Sequence, residues 1–152
     1  MKFYLLRHGK ADWPAWTGPD DKRPLTAEGK KEVARVGKFL AQLNVAPLIL
    51  TSPLPRALQT AEIAAERLKT EVRVEPLLRP GFDANALRKI LKKHRAKSLM
   101  IVGHEPDFSH TIFQLTGGNT KVSKAGVALI ELETDSMQGE LRWLFPPKIA
   151  KA

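Results

Sequence analysis

Residues Lys2 to Gly9 read KFYLLRHG, a short apolar run that breaks into arginine, histidine and glycine. An unbroken apolar run of strand length, ended by a polar turn, is the pattern of a strand buried on both faces, as in a parallel sheet covered by helices. Lys2 to Leu6 is therefore expected as the first strand, with Arg7, His8 and Gly9 leaving its carboxyl end. Downstream, short apolar runs alternate with helical stripes. Thr26 is placed to cap a helix with Val33, Val36, Gly37, Leu40 and Leu43 inward, and Pro47 to Thr51 reads as the second strand. Ser52 as cap and Pro53 as first residue are expected to open a helix to about Leu68, with Leu58, Ala61, Ala65 and Leu68 inward. Glu71 to Glu75 is expected as the third strand, and Ser98 to Val102 as the fourth. A helix from Asp107 to Leu115 follows, broken at Gly117, Gly118 and Asn119. Val127 to Leu132 and Glu140 to Phe145 read as an antiparallel pair across Thr134 to Gly139, stopped by Pro146 and Pro147. Alternation of this kind predicts an α/β chain with a mostly parallel sheet.

The 152 residues are 43% hydrophobic and 27% charged, which is ordinary globular composition and enough for one domain over 1–152. With no cysteine, disulfide frameworks, thiolate nucleophiles and sulfur-ligated metals are excluded. The apolar run before Arg7 falls short of the ~7–15 residues of a signal-peptide core, and none approaches ~18, so a soluble, cytoplasmic protein without membrane attachment is expected. A formal charge of +9 calls for an anionic ligand or partner. The densest basic stretch is Arg88 to Lys97. Leu87, Ile90 and Leu91 recur within it at helical spacing, so its cations read as the solvated face of an amphipathic helix. Without aromatic interleaving or a nucleic-acid motif, nucleic acid is disfavoured as a partner.

In open α/β sheets, ligands bind outside the carboxyl ends of the strands. Strand one delivers Arg7-His8-Gly9 there, strand two Ser52-Pro53-Leu54-Pro55-Arg56, and strand four Gly103-His104-Glu105-Pro106. Two imidazoles and two guanidiniums on one edge outline a phosphate site. Arginine forks bind phosphate oxygens bidentately, and a helix start near Ser52 and Pro53 would add oriented N–H groups. A histidine beside two arginines is expected to stay neutral and keep a lone pair for attack on phosphorus. His94 and His110 read as structural residues of their helices. A metal site from His8, Asp12, His104 and Glu105 lacks any recognised ligand spacing and is set aside.

Four segments carry a resemblance: LLRHGKA at Leu5 to Ala11, RPLTAEG at Arg23 to Gly29, TSPLPRALQTAEI at Thr51 to Ile63, and VGHEPDFS at Val102 to Ser109. In this order and spread over most of the chain, they resemble the histidine phosphatase superfamily. The resemblance implies a three-layer α/β/α, phosphoglycerate-mutase-like fold. It also implies a phosphorylated nucleophile at His8, with Arg7, Arg56 and His104 binding the phosphoryl group. Two departures narrow it. Ala11 and Pro14 stand where many ester-cleaving members have Ser and Asn, and Pro80 stands where acid-using members place a catalytic Glu. Short length, the missing acid and the Gly-His-Glu-Pro motif resemble the SixA-type phosphohistidine phosphatases.

A missing acid has a chemical consequence. An alkoxide leaving group gains typically 10²–10⁴-fold from a proton donor, whereas the nitrogen of phosphohistidine can take its proton from solvent and leave as neutral imidazole. The expected substrate is thus a phosphorylated protein, with no metal or organic cofactor. Asp12, Asp83 and Glu105 are the alternative proton donors for a small-molecule phosphomonoesterase acting on a sugar or nucleotide phosphate. A non-catalytic phosphate- or nucleic-acid-binding module is the remaining alternative. The segment Lys10 to Pro24, with Trp13, Trp16 and the pair Asp20 and Asp21, is expected to border the pocket.

Overall fold

The computed structural model describes residues 1–150, built on a six-stranded sheet. In chain order the main elements are β1 (Lys2–Arg7), α1 (Ala27–Gln42), β2 (Leu48–Thr51), α2 (Pro55–Leu68), β3 (Val72–Val74) and α3 (Ala84–Lys93). They continue with β4 (Ser98–Gly103), α4 (Asp107–Thr116), β5 (Val127–Glu133) and β6 (Gln138–Phe145). Across the sheet the strands run β3-β2-β4-β1-β5-β6. The first four of that order are parallel, while β5 pairs antiparallel with β1 and with β6. This is the three-layer α/β/α, phosphoglycerate-mutase-like arrangement.

The side-chain alternation of a strand divides the core between two faces. Tyr4, Leu6, Ile49, Met100 and Val102 point toward α1 and α2, where Val33, Val36, Leu40, Ala57, Ala61 and Ala64 meet them. Phe3, Leu5, Leu50, Leu99 and Ile101 point the other way, to Leu87 and Ile90 of α3 and to Phe108, Ile112 and Leu115 of α4. Each large side chain so buried is worth roughly 1.5–3 kcal/mol, which makes apolar burial on both faces the main attachment of the helices. Arg88, Lys89, Lys92 and Lys93 of α3 are exposed, as the amphipathic reading of that helix requires.

Several sequence-based expectations need correction. The second helix begins at Pro55, with Leu54 as its N-terminal flanking residue, and Ser52 and Pro53 lie outside it. Pro55 holds Leu54 in an extended conformation (φ −65°, ψ 136°), which bars the helix from starting earlier. Leu58 is only half-buried, because the inward face of α2 is centred on Ala57, Ala61, Ala64, Ala65 and Leu68. Leu43 is exposed, lying past the last turn of α1, where Asn44 takes a left-handed conformation and redirects the chain. Leu91 is half-buried at the flank of the Leu87–Ile90 stripe. The third strand is confined to Val72–Val74, and β6 starts two residues before the expected Glu140.

Register decides what the carboxyl edge presents. Arg7 pairs with Gly103 across β1 and β4, and Thr51 pairs with Val102 across β2 and β4. The ladder runs one residue further, His8 N–H donating to Gly103 O at 3.1 Å and Ser52 N–H to Val102 O at 3.0 Å. Past His8 the chain is pinned to the start of α1, where the amide and hydroxyl of Thr26 both donate to Lys10 O. That approach requires glycine at position 29, since a Cβ there would collide with the Lys10 carbonyl oxygen. Gly29→Ala is therefore expected to cost roughly 1–3 kcal/mol. Urea denaturation at neutral pH measures it, and unchanged stability would contradict the tight packing described.

Candidate active site

At the carboxyl edge the loops after β1, β2 and β4 bring His8, Ser52 and His104 together. His8 is 8% exposed and His104 4%, with ring centroids 5.4 Å apart. Nδ1 of His8 lies 2.8 Å from Gly9 O, and a carbonyl only accepts, so Nδ1 carries the proton and Nε2 keeps its lone pair. A second relay sets His104. Leu54 N–H donates to Ser52 Oγ at 3.3 Å, and Ser52 Oγ lies 2.8 Å from His104 Nε2. With that hydroxyl as donor to Nε2, His104 presents Nδ1–H, which is buried and without a protein partner.

Both imidazoles are held neutral. His8 is pushed down to about 3, first by burial and then by His104, Arg56 and Arg7, against the opposing bond to Gly9. Burial is also the main cause for His104, lowered to about 4, with Arg56 and Arg7 adding and Asp21 opposing. The expected direction is found, but desolvation exceeds the arginine charges as its cause.

Arg7 and Arg56 face the same centre. Arg7 donates from Nη1 to Val122 O at 3.0 Å, while Arg56 donates from Nη1 to Asp20 O at 3.1 Å. The Nε atoms of both are buried and have no protein partner. Together with Nδ1 of His104 they are donors available to an oxyanion. Of the amides expected near Ser52, that of Leu54 is bonded to Ser52 Oγ, and Pro53 and Pro55 have none.

The three carboxylates singled out in the sequence are all engaged as acceptors. Asp12 pairs with Lys124 and Arg23, and the Lys124 contact holds it below the usual carboxylate range. Asp83 caps α3 by accepting from Ala86 N–H at 2.9 Å. Glu105 accepts from the Ser109 amide and hydroxyl and from Val122 N–H. No cluster of three or more His, Cys, Asp or Glu able to hold a metal is found among the described residues. His94 stands apart, its Nε2 3.1 Å from buried Glu75, and His110 is exposed on α4.

Sequence reasoning missed two positioning residues. Ser52, read as a helix cap, instead orients His104. Thr60 accepts from Gly9 N–H at 3.0 Å and donates to Arg56 O at 2.7 Å, joining the turn after His8 to α2. Nothing in the spacing of Thr60 pointed to this, because the contact spans 51 residues. The segment Lys10–Pro24 borders the site as expected. It carries a single 3₁₀ turn at Asp20–Lys22 and forms by itself a cleft of about 450 Å³ lined by Asp12, Trp13, Pro14, Trp16, Asp20 and Arg23. Trp13 is 41% exposed and Trp16 38%, while their indole N–H groups are bonded to Pro24 O and Pro19 O.

A parallel sheet that places paired neutral imidazoles between two arginines is the architecture of a phosphoryl-handling enzyme. The sequence profile of the histidine phosphatase superfamily (branch 1) matches residues 3–80, and the chain belongs to this superfamily. An uncharacterized protein of Picosynechococcus is 35% identical over 96% of this chain and 100% of its own length. The phosphohistidine phosphatase SixA homolog of Haemophilus influenzae is 26% identical over 93% of each chain. Among solved structures, the protein histidine phosphatase SixA complexed with tungstate superposes with a TM-score of 0.88 at 26% identity, covering 99% of this chain and 100% of SixA.

The neutral histidines give stability a defined pH dependence. Both folded-state pKa values, about 3 and about 4, lie below the ordinary 6.5. As pH falls through 6.5 the unfolded chain takes up protons that the native state refuses, so stability drops until the folded values are passed. Between pH 6.5 and 5, above most carboxylate titrations, the loss is expected to be about 1–2 kcal/mol per histidine. Urea midpoints at pH 7, 6 and 5 measure it, and His8→Ala should remove about half of the slope. A flat profile in this window would contradict buried neutral imidazoles.

Proposed function

We propose that this chain hydrolyses the phosphoryl group of a protein phosphohistidine through a covalent phosphate on His8. Nε2 of His8 attacks phosphorus in line with the leaving nitrogen. The new N–P bond forms as the substrate's P–N bond breaks, and the substrate ring, protonated by solvent, departs as neutral imidazole. Arg7, Arg56 and Nδ1–H of His104 hold the phosphoryl oxygens, where they act on the charge of the transition state. Water then attacks phospho-His8, the bond to Nε2 breaks, and orthophosphate leaves with the imidazole restored. No step calls for a metal or an organic cofactor.

Family membership supports the histidine phosphatase chemistry. The protein phosphohistidine substrate rests chiefly on one observation: Asp12, Asp83 and Glu105 are each engaged as acceptors by a neighbouring donor, Lys124, the Ala86 amide and the Val122 amide, so none stands free to protonate an alkoxide. A phosphoramidate tolerates that lack and an ester does not. The end-to-end likeness to SixA, a protein histidine phosphatase, supports the same substrate class. One observation favours a phosphomonoesterase instead. The charge of Asp21 reaches both Arg56 and His104, and Asp21 has no ion-pair or hydrogen-bond partner among the described residues. In that second reading Asp21 would be the proton donor.

Turnover of a phosphohistidine protein against a sugar phosphate, whose alkoxide leaving group needs a proton donor, separates the two, with a preference for phosphohistidine expected. His8→Ala should abolish turnover, acid-labile phosphate should be trapped on the wild-type chain, and a chelator should leave the rate unchanged. Retained activity in His8→Ala would remove the covalent mechanism. Asp21→Asn is expected to spare phosphohistidine turnover, and selective loss of ester cleavage would support the second reading.

The cleft at Trp13 and Trp16 adds an expectation about size. Bordering Arg56 through Asp20, it can contact the protein around a phosphorylated side chain but not a small phosphoramidate. Trp13→Ala with Trp16→Ala should thus lower kcat/KM for the phosphoprotein by about tenfold more than for phosphoramidate. Equal losses on both substrates would leave these residues a packing role only.

A further inference from the structure

One carboxylate lies between two guanidiniums at the mouth of the site. Nη2 of Arg56 is 3.7 Å from Asp20 Oδ2, and its Nη1 holds the Asp20 carbonyl at 3.1 Å. From a different segment, Nε and Nη2 of Arg23 meet the other carboxylate oxygen, Oδ1, at 3.1 and 3.0 Å. Arginine forks select carboxylates and phosphoryl groups by the same feature, two close oxygens rich in lone pairs. Asp20 thus occupies, with its own carboxylate, a position that two arginines are arranged to give an oxyanion.

We propose that Asp20 is a built-in competitor for the phosphoryl group, and that Arg23 is a third guanidinium that passes from Asp20 to the phosphoryl oxygens when substrate arrives. This rests on the phosphate site proposed above. Like charge makes the exchange favourable in direction, because a phosphoryl dianion at Arg56 repels the carboxylate beside it. The contact is also weak enough to yield. The Arg56 side chain is 7% exposed but that of Asp20 is 71% exposed, and ion pairs with one partner in solvent are readily displaced.

The way the segment is anchored fits such an exchange. Its base is fixed by Trp13 Nε1–H on Pro24 O at 2.8 Å and by Leu25 N–H on Gln59 Oε1 at 2.8 Å. Its tip is closed on itself, with Trp16 Nε1–H and Lys22 N–H both on Pro19 O, and Arg23 N–H on Asp20 O. Apart from the Arg56 contacts, the bonds of Asp20 are with Arg23, in its own turn. The turn can therefore withdraw Asp20 without breaking the attachment of the loop base. Arg23 itself stays anchored by Nη1 on Ala11 O, next to the nucleophile turn, so it remains within the site as Asp20 leaves.

The test is calorimetric binding of orthophosphate to the purified full chain. Asp20→Asn keeps shape and removes charge, and should tighten orthophosphate binding about fivefold, the size of the exposed ion pair no longer displaced. In the Asp20→Asn background, Arg23→Gln should weaken binding about tenfold as one charge-assisted contact is lost. Asp135→Asn, in the turn between β5 and β6, removes the same charge far from the site and should change nothing. Unchanged or weaker binding in Asp20→Asn overturns the competitor, as does equal tightening in Asp135→Asn, which would mark a net-charge effect. Unchanged binding on adding Arg23→Gln overturns the third guanidinium. Failure of the underlying phosphate site reads differently: wild type and Arg56→Ala would then bind orthophosphate equally poorly, and both proposals would fall.

Discussion

The parallel register of β1, β4 and β2 is the constraint on which the site depends. Pairing Arg7 with Gly103 and Thr51 with Val102 ends the three strands within one residue of the same level, so the next residue of each turns into one shared space. A slip of one residue would exchange the faces of a whole strand and send Phe3 and Leu5, or Tyr4 and Leu6, to the wrong helical layer. The apolar alternation that packs the two layers therefore also aligns His8, Ser52 and His104. Site geometry and core packing are consequences of one register.

Burial at that edge does chemical work. An imidazolium enclosed to this degree beside two guanidiniums would lose most of its hydration, and the neutral form prevails. Neutrality leaves Nε2 of His8 with a free lone pair, and it gives Ser52 a neutral imidazole to bond in His104. The cost is a pair of groups that weaken the fold in acid. Placing a desolvated electrostatic cluster on the end of a doubly covered sheet lets the packed strands and helices carry its cost.

Around this neutral centre the charges alternate outward: Arg56 to Asp20, Asp20 to Arg23, Arg23 to Asp12, and Asp12 to Lys124. A chain of this kind keeps the guanidiniums compensated until an anion arrives, while the strongly basic surface beyond it attracts one. Carboxylates held within it are paired with cations on both sides.

The fold class and the central residues were legible in the sequence because both depend on local pattern. KFYLL and SLMIV are apolar over strand length whatever surrounds them, Arg7 ends the first strand, and His8, Arg56 and His104 follow strands within a few residues. The start of α2 was misread because Ser52-Pro53 and Leu54-Pro55 both look like helix openings, and the second proline overrules the first. What sequence could not contain are contacts between residues far apart in the chain. Thr60 on Gly9, Ser52 on His104 and Asp20 on Arg56 exist only once the register and helix packing have set their distances. Sequence by itself determined which chemical groups reach the edge of the sheet, since strand periodicity is a nearest-neighbour property. Tertiary structure alone decided their protonation and their partners, since burial and hydrogen bonding depend on what the rest of the chain brings beside them.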